Sequence, residues 1–231
     1  MDDILVAAPT RKELLRVRPQ LFSALHSYRL QVAPGKVQSQ PPWKYLGVKI
    51  LEQTIQHQEV QFPKSIATLN DAQRLLGVPS WLCPYLGLTT VQMSPLFNIL
   101  KGDPDLSSPQ KLTPEAQQAL EGVQQALSIH QVYRVDPSID ITVFITYPDS
   151  HPTGIIGQWN DKWPDPLHIL QWVILPHHLK KIASLLIDLV AQLIIKCHYR
   201  CWQLMAADPA RIVLPVERDT FEWCLINNVP L

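Results

Sequence analysis

The sequence predicts a multi-domain α+β protein, with a broken αβ piece followed by a helical piece and then by a second αβ piece. Before residue 135, apolar residues recur mainly at the spacing of a helix, and after it they form extended runs rich in β-branched and aromatic residues. The 21 prolines, against eight glycines, cluster where such elements should end and therefore mark several short loops. This change of pattern along the chain is the basis of the predicted class.

The first predicted elements are a strand over residues 2–7 and a helix over residues 11–28. The helix opens with a capping box, in which Glu13 follows Thr10 at the required spacing of three. Pro19 in its middle removes a hydrogen bond and should kink the helix or cost about 3 kcal/mol. One face of the predicted helix is apolar and carries Leu14, Val17, Leu21, Leu25 and Tyr28.

Two short strands and three helices are predicted next. The strands cover residues 32–38 and 45–52, and the second is entered through two consecutive prolines. The three helices have starting residues typical of helix N-termini. They are a helix capped by Asn70 with Pro79 inside it or at its end, a helix over residues 94–100, and a helix that opens at Thr113 and Pro114 and runs to about residue 127.

The last part of the chain is predicted to be an antiparallel meander with a long helix packed on it. Its strands are separated by proline-rich turns and have the composition of buried strands. In order, the predicted elements are strands 141–147, 154–159 and 169–175, a helix over 179–199, a strand over 211–216 and a short helix over 220–226.

Composition excludes several classes of function. Lys plus Arg equals Asp plus Glu at 20 each, so no overall positive field attracts nucleic acid, and any polyanion binding must be local. Residues 1–60 carry such a local excess, with eight basic against five acidic side chains. The longest apolar stretch, residues 182–195, is interrupted by polar residues and is too short to span a membrane. A buried helix is the better interpretation.

The four cysteines are Cys83, Cys197, Cys201 and Cys224, and their scattered positions fit free thiols in a reducing, cytoplasmic compartment. Cys197 and Cys201 are four residues apart on a predicted helix and share a face. One such pair lacks the third and fourth ligands of a zinc site. We therefore expect these two thiols to be buried or inert.

Asp2 and Asp3 precede an apolar run and have the chemistry of a magnesium-binding carboxylate pair. Two-metal nucleotidyl transfer needs carboxylates that hold two Mg²⁺ ions about 4 Å apart. Consecutive side chains of a strand point to opposite faces, so both cannot be full ligands and a third carboxylate must come from elsewhere. A solvated pair at the start of a chain is the alternative interpretation.

Four blocks of sequence between residues 45 and 116 resemble, in order, the thumb region of retroviral reverse transcriptases, in particular those of betaretroviruses and K-type endogenous elements. Any one block is weak, but four in register are strong. The blocks are Tyr-Leu-Gly at 45–47, Thr-Leu-Asn-Asp-Ala-Gln-Arg-Leu-Leu-Gly at 68–77, Trp-Leu-Cys-Pro-Tyr-Leu-Gly-Leu at 81–88, and a stretch from Ser-Pro-Leu-Phe at 94–97 to Leu-Thr-Pro-Glu-Ala at 112–116. The resemblance extends to about residue 215.

The resemblance implies catalytic roles for three residues. Met1, Asp2 and Asp3 look like the tail of the family's Tyr-x-Asp-Asp polymerase motif, with Asp2 the metal ligand and Asp3 the more peripheral member. Lys36 matches the lysine implied as proton donor to the departing pyrophosphate, although a solvated surface lysine is the commoner interpretation. The implied cofactor is Mg²⁺, in the intact parent enzyme.

Two further sets of residues are implied to bind nucleic acid. The first matches the hairpin that grips the primer end and comprises Trp43, Tyr45, Leu46 and Gly47, with core packing as the alternative for Tyr45 and Leu46. The second set places a glutamine amide, a glycine without a side chain and a tryptophan indole at intervals of four residues on one face of a helix. That arrangement suits a helix lying along the minor groove of a duplex, where the glycine admits the nucleic-acid backbone. The second set comprises Gln73, Gly77 and Trp81.

The same resemblance implies three domains: the C-terminal part of the palm (residues 1–62), the thumb (63–135), and a truncated, non-catalytic connection domain with a ribonuclease-H-like fold (136–231). Three departures from the family pattern weaken the expectation of activity, namely Pro79, Pro19 and Gly35. The strand bearing the third carboxylate, the nucleotide-binding fingers and the catalytic ribonuclease H domain are expected to lie outside this chain.

Three functions therefore remain open at the level of the sequence. The first is a segment of an RNA-directed DNA polymerase without independent catalysis. The intact enzyme from which it would derive is expected to bind an RNA/DNA or DNA primer–template and a dNTP, and to be virion-associated. The second is a nucleic-acid-binding module with salt-sensitive affinity for a duplex. The third is a non-enzymatic interaction protein, for which a polymerase-type dimer is one arrangement. No membrane partner is expected.

Overall fold

The computed structural model describes residues 3–58, 62–63, 65–147, 152–175, 186–216 and 219 of the 231-residue chain, with backbone alone at 78–83, 90 and 186–187. The chain divides into two compact units, Met1–Glu59 and Val60–Leu231. The described residues contain helices and two β-sheets whose strands pair mainly antiparallel, so the predicted α+β class is confirmed.

The first unit begins with an extended segment and a helix. Helix α1, Arg11–Ser27, has the predicted bounds to within one residue, and the Thr10 hydroxyl accepts a hydrogen bond from the Glu13 amide. The helix is continuous through Pro19. The predicted strand over residues 2–7 is wrong for its described part, since residues 3–7 have no regular structure. A strand needs a hydrogen-bonded neighbour, and no described strand pairs with this segment.

A three-stranded antiparallel sheet completes the first unit, with β1 at Trp43–Tyr45, β2 at Val48–Ile50 and β3 at Thr54–His57. The predicted strand 45–52 is therefore a hairpin of two strands. The predicted strand 32–38 is wrong, because Pro34–Lys36 forms a 3₁₀ turn in which the Lys36 amide bonds the carbonyl three residues back. Proline favours this turn, since its fixed φ suits the first helical position.

Three helices open the second unit, as predicted. They are α2 at Leu69–Leu86, α3 at Thr90–Asn98 and α4 at Pro114–Ile129. Their apolar faces meet in one hydrophobic core, in which Ala72, Leu86, Leu96 and Ala116 are fully buried. Position 79 lies inside α2.

Two of these helices begin at residues other than those predicted, because each starts with a capping box. Thr68 caps α2 in place of Asn70, because its hydroxyl accepts from the Asp71 amide while the Asp71 carboxylate accepts from the Thr68 amide. Thr89 and Gln92 form the same reciprocal pair ahead of α3, which therefore begins four residues before the predicted residue 94. Each box satisfies two backbone amides at once, which a lone asparagine does not.

The rest of the second unit is a short strand, β4 at Val132–Tyr133, followed by a four-stranded sheet with a helix on one face. The sheet order is β7-β6-β5-β8, with antiparallel pairing from β5 to β7 and with β8 parallel to β5. The elements are β5 at Ile141–Thr146, β6 at Thr153–Trp159, β7 at Leu167–Ile174, helix α5 at Leu186–Met205 and β8 at Arg211–Val213.

The predicted meander and long helix are thus confirmed over the described residues, while the helix predicted at 220–226 lies outside them. Helix α5 packs on the sheet through fully buried Leu193, Cys197 and Cys201, against Val143 and Ile156. None of the helices in the described ranges combines the length and the apolar character needed to cross a membrane.

Candidate nucleic-acid interface

The hairpin of the first unit carries four of the predicted site residues. Strands β1 and β2 pair with Trp43 opposite Ile50 and Tyr45 opposite Val48, so the connecting turn is only Leu46 and Gly47. Both turn residues have positive φ, +44° at Leu46 and +81° at Gly47, as a two-residue hairpin of type I′ requires. Trp43 and Tyr45 are half-buried on one face of β1, and Leu46 projects at the tip with 46% of its surface exposed.

The segment that carries Lys36 is held to this hairpin by Gln38. Nε2 of the Gln38 side chain donates to the Lys44 carbonyl at 2.9 Å, and its Oε1 accepts from the Lys44 amide at 2.6 Å. These two bonds satisfy the backbone groups of Lys44 on the edge of β1 that faces away from β2. Lys36 itself is exposed at the end of the 3₁₀ turn, two residues before Gln38. Sequence reasoning missed Gln38, because a glutamine in a predicted strand gives no sign that its amide pairs with another strand.

Helix α2 carries the second predicted set. Gln73 and Gly77 lie one turn apart on its exposed side, together with Arg74, while Leu75 and Leu76 face the core at 2% and 3% exposure. Among the atoms that the structure describes, none lies within 4 Å of a Cβ atom added at Gly77, so the described surroundings of this glycine are open. Trp81 is one further turn along the same helix, and its side chain lies outside the described atoms.

Two family models match the chain. Residues 57–121 match the reverse transcriptase thumb domain, and residues 149–231 match the ERVK-8-like, RNaseH-like domain. Curated relatives cover nearly all of it: the Gag-Pro-Pol polyproteins of squirrel monkey retrovirus and of mouse mammary tumor virus are each 36% identical over 97% of this chain, and that of simian retrovirus SRV-2 is 36% identical over 99%. This chain belongs to the retroviral Pol family.

The chain spans 12% of the length of these Gag-Pro-Pol polyproteins, so it corresponds to a small part of such a polyprotein. The thumb match includes helices α2 and α3 and the start of α4, and the RNaseH-like match includes β6 to β8 and α5. The predicted family is therefore confirmed. The Pol family is one of enzymes, reverse transcriptase and RNase H, and both generally use Mg²⁺.

The residues described in this Pol segment do not form a magnesium site. Asp2 lies outside the described residues, and Asp3 is exposed in the extended segment before α1. Within the described ranges, no group of three His, Cys, Asp or Glu side chains is placed to hold a metal ion. Two-metal chemistry needs several carboxylates around the same pair of ions, and the described residues alone do not supply them.

The cysteines of α5 behave as the sequence predicts. Cys197 and Cys201 are free and completely buried, and burial raises the pKa of the Cys197 thiol to about 12 and that of Cys201 to about 11. Thiols with such pKa values stay protonated at neutral pH and are poor nucleophiles and metal ligands. The side chains of Cys83 and Cys224 lie outside the described residues.

Proposed function

We propose that this chain is a segment of an RNA-directed DNA polymerase that binds an RNA/DNA primer–template, through α2 and through the hairpin, and that does not catalyse by itself. In this proposal residues 1–62 are the end of the palm, 63–135 the thumb and 136–231 a non-catalytic connection domain. The membership of the chain in the Pol family supports the substrate class. The single observation that carries the binding role is that Gly77, with no described atom in the space beside it, lies on the exposed side of α2 together with Gln73 and Arg74.

Gly77 is unexplained by the fold itself. A glycine inside a helix costs about 1 kcal/mol of stability relative to alanine. An alanine side chain at position 77 would meet none of the described atoms within 4 Å, so no packing contact in the described part of the chain requires the glycine. On the side of α2 that also exposes Gln73 and Arg74, such a glycine fits a surface that another molecule approaches closely. The sugar–phosphate backbone of a duplex, at the minor groove, is the ligand of that kind in this family.

The residues around Gly77 have the chemistry of a groove contact. Gln73 offers an amide that both donates and accepts hydrogen bonds, and the neighbouring Arg74 is exposed and can pair with a phosphate. Trp81, one turn beyond Gly77, supplies an indole that can stack on a sugar or base. Because the whole chain has no net charge, this binding rests on a few local contacts, and we expect it to be weak and sensitive to salt.

The hairpin supplies a second contact in this proposal. Leu46 is exposed at the tip although leucine is unfavourable at positive φ, and Gly47 lets a ligand approach the backbone. Trp43, Tyr45, Leu46 and Gly47 would hold the primer end. In the intact parent, Lys36, Asp2 and Asp3 would contribute to nucleotidyl transfer from a dNTP with Mg²⁺, together with residues outside this chain.

Fluorescence anisotropy of a labelled RNA/DNA hybrid tests the binding role. We expect the full chain to bind at low salt, and Gly77→Ala and Trp81→Ala each to weaken the affinity about tenfold, which corresponds to about 1.4 kcal/mol. Gly122→Ala in α4 is the matched control, because its added Cβ also meets nothing within 4 Å. The proposal is wrong if the chain fails to bind the hybrid at low salt, or if Gly77→Ala and Gly122→Ala bind it with the same affinity.

Primer extension tests separately whether the isolated chain is inactive. Primer extension on a primed RNA template with Mg²⁺ should give no product above that of a buffer control. Steady extension by the purified chain would overturn this claim without affecting the binding role.

A second candidate function is that of a protein-interaction module, and α1 favours it. None of the residues of this helix is buried, and Leu15, Val17 and Phe22 are exposed to 58%, 40% and 36%. Exposed apolar residues on one helix are typical of a surface that another protein covers. Light scattering coupled to size-exclusion chromatography would show a concentration-dependent dimer, and a monomer at every concentration would count against this candidate.

A further inference from the structure

The indole of Trp172 lies between the thumb helices and the RNaseH-like sheet. Trp172 is in β7, where neighbouring side chains alternate between the two faces. Gln171, immediately before it, accepts hydrogen bonds from Arg200 of α5 and so faces that helix. Trp172 therefore faces the other way, toward the ends of α2 and α4.

The end of α2 lies directly against this indole. Gly87 caps the helix with a φ of +65°, a conformation that favours glycine. A Cβ atom at this position would lie 2.8 Å from Nε1 of Trp172 and 2.9 Å from its Cε2. Those distances are too short for any side chain, so glycine is required here both by the backbone and by the indole.

The end of α4 reaches the same place through His130. Nδ1 of His130 lies 2.7 Å from the carbonyl oxygen of Leu86, the last residue of α2. Because a carbonyl only accepts, Nδ1 carries the proton and donates. The His130 ring also lies against the indole, with 5.7 Å between the centroids of the His130 and Trp172 rings. One imidazole thus links the final turn of α2, the end of α4 and the sheet.

We propose that Trp172 is a positioning residue that fixes the orientation of α2 relative to the RNaseH-like sheet, with Gly87 and His130 as its contacts on the thumb. Two helix ends held against one side chain cannot tilt independently of the strand that carries it. The exposed side of α2, with Gln73 and Gly77, is therefore presented at a constant angle to the sheet. This inference does not rest on the proposed binding role.

Double electron–electron resonance between two nitroxide labels on the full chain tests it. The labels are placed at the exposed positions Glu121→Cys in α4 and Lys162→Cys in the loop before β7, with Cys83 and Cys224 changed to Ser. We expect one narrow distance distribution, and a distribution at least twice as broad after Trp172→Ala. A second pair within the thumb, Glu121→Cys with Lys101→Cys, should stay narrow in both chains.

The two label pairs distinguish a loosened junction between thumb and sheet from an unfolded thumb. The proposal is overturned if the distance distribution between thumb and sheet is unchanged by Trp172→Ala. It is also overturned if that distribution is already broad in the chain without this substitution. If the thumb pair also broadens, Trp172→Ala has unfolded the thumb, and the surface substitution His130→Ala decides instead. His130→Ala should broaden the distance between thumb and sheet alone, whereas Gly122→Ala should leave it unchanged, and an unchanged distance after His130→Ala would then overturn the proposal.

Discussion

A Cβ atom at Gly154 would lie 2.5 Å from the Sγ atom of Cys197. Gly154 is in β6 and Cys197 is in α5, so this pair sets how closely the helix approaches the sheet. The sulfur is fully buried and occupies the volume that a side chain on the strand would fill. The thiol is thus a packing group, which agrees with its raised pKa.

Gly154→Ala should destabilise the chain by about 1–3 kcal/mol, because the new methyl group overpacks the core. Urea unfolding followed by circular dichroism measures this loss. Adding Cys197→Ala to the same chain should recover part of it, since the sulfur that clashes is removed. A loss no greater than that of the control Gly122→Ala, whose Cβ meets nothing, would contradict the packing role.

The two thiols of α5 should resist alkylation in the folded chain. Burial raises the pKa of Cys197 to about 12 and that of Cys201 to about 11, so neither forms thiolate near neutral pH. Labelling with iodoacetamide at pH 8, followed by peptide mass spectrometry, should modify both cysteines in urea and neither in buffer. Rapid labelling of either in buffer would show that its burial is wrong.

The same raised pKa values predict a loss of stability at alkaline pH. The folded chain holds these protons more tightly than the unfolded chain, so their contribution is complete below the ordinary thiol pKa of 9.0 and declines as pH rises toward 11 and 12. A double substitution of Cys197 and Cys201 by Ala should flatten this decline in urea-unfolding experiments between pH 8 and pH 11. An unchanged slope would contradict the assignment.

Leu46→Asn should stabilise the chain by about 1 kcal/mol while weakening its binding to the RNA/DNA hybrid. Asparagine tolerates the φ of +44° better than leucine does, and the exposed leucine side chain contributes little packing. Thermal unfolding and anisotropy measure the two effects. Leu106→Asn is the matched control, since Leu106 is also exposed and lacks a positive φ. A loss of stability in Leu46→Asn, or equal affinity in the two variants, would contradict this interpretation.

The Asp71 carboxylate should make the start of α2 sensitive to acid. Hydrogen bonds from the Ala67 amide, the Thr68 side chain and the Thr68 amide hold the pKa of Asp71 below its ordinary value of 3.8. Because the folded-state pKa is the lower one, this contribution is complete above the ordinary value and is lost as pH falls through the folded-state pKa.

The Asp71→Asn variant should therefore have a lower free energy of unfolding than the unsubstituted chain at pH 7. The difference between the two free energies should shrink as the pH falls below 4. Thermal unfolding between pH 3 and pH 7 measures it. Glu121→Gln, which removes an exposed carboxylate elsewhere, is the control for the change in net charge. A difference between parent and Asp71→Asn that is independent of pH would show that the carboxylate does not cap the helix.

The sequence by itself determined the local elements and the family. Thr10 and Glu13 define the start of α1, and the extended runs after residue 135 define the meander. These features depend on residues within a few positions of one another, so their spacing is visible in the chain. The blocks that resemble the thumb are equally local, and their order along the sequence was enough to predict the Pol family.

Only the tertiary structure decided whether a segment with the composition of a strand forms one, and which residues from different elements are in contact. Residues 3–7 have the composition of a strand but no described strand beside them, and the segment around Pro34 turns instead of extending. The pairing of Gln38 with Lys44, the contact of Gly154 with Cys197 and the position of Trp172 against Gly87 each join residues from different elements. Strand pairing and close packing depend on such partners, and the 3.6- and 2-residue periodicities of the sequence do not encode them.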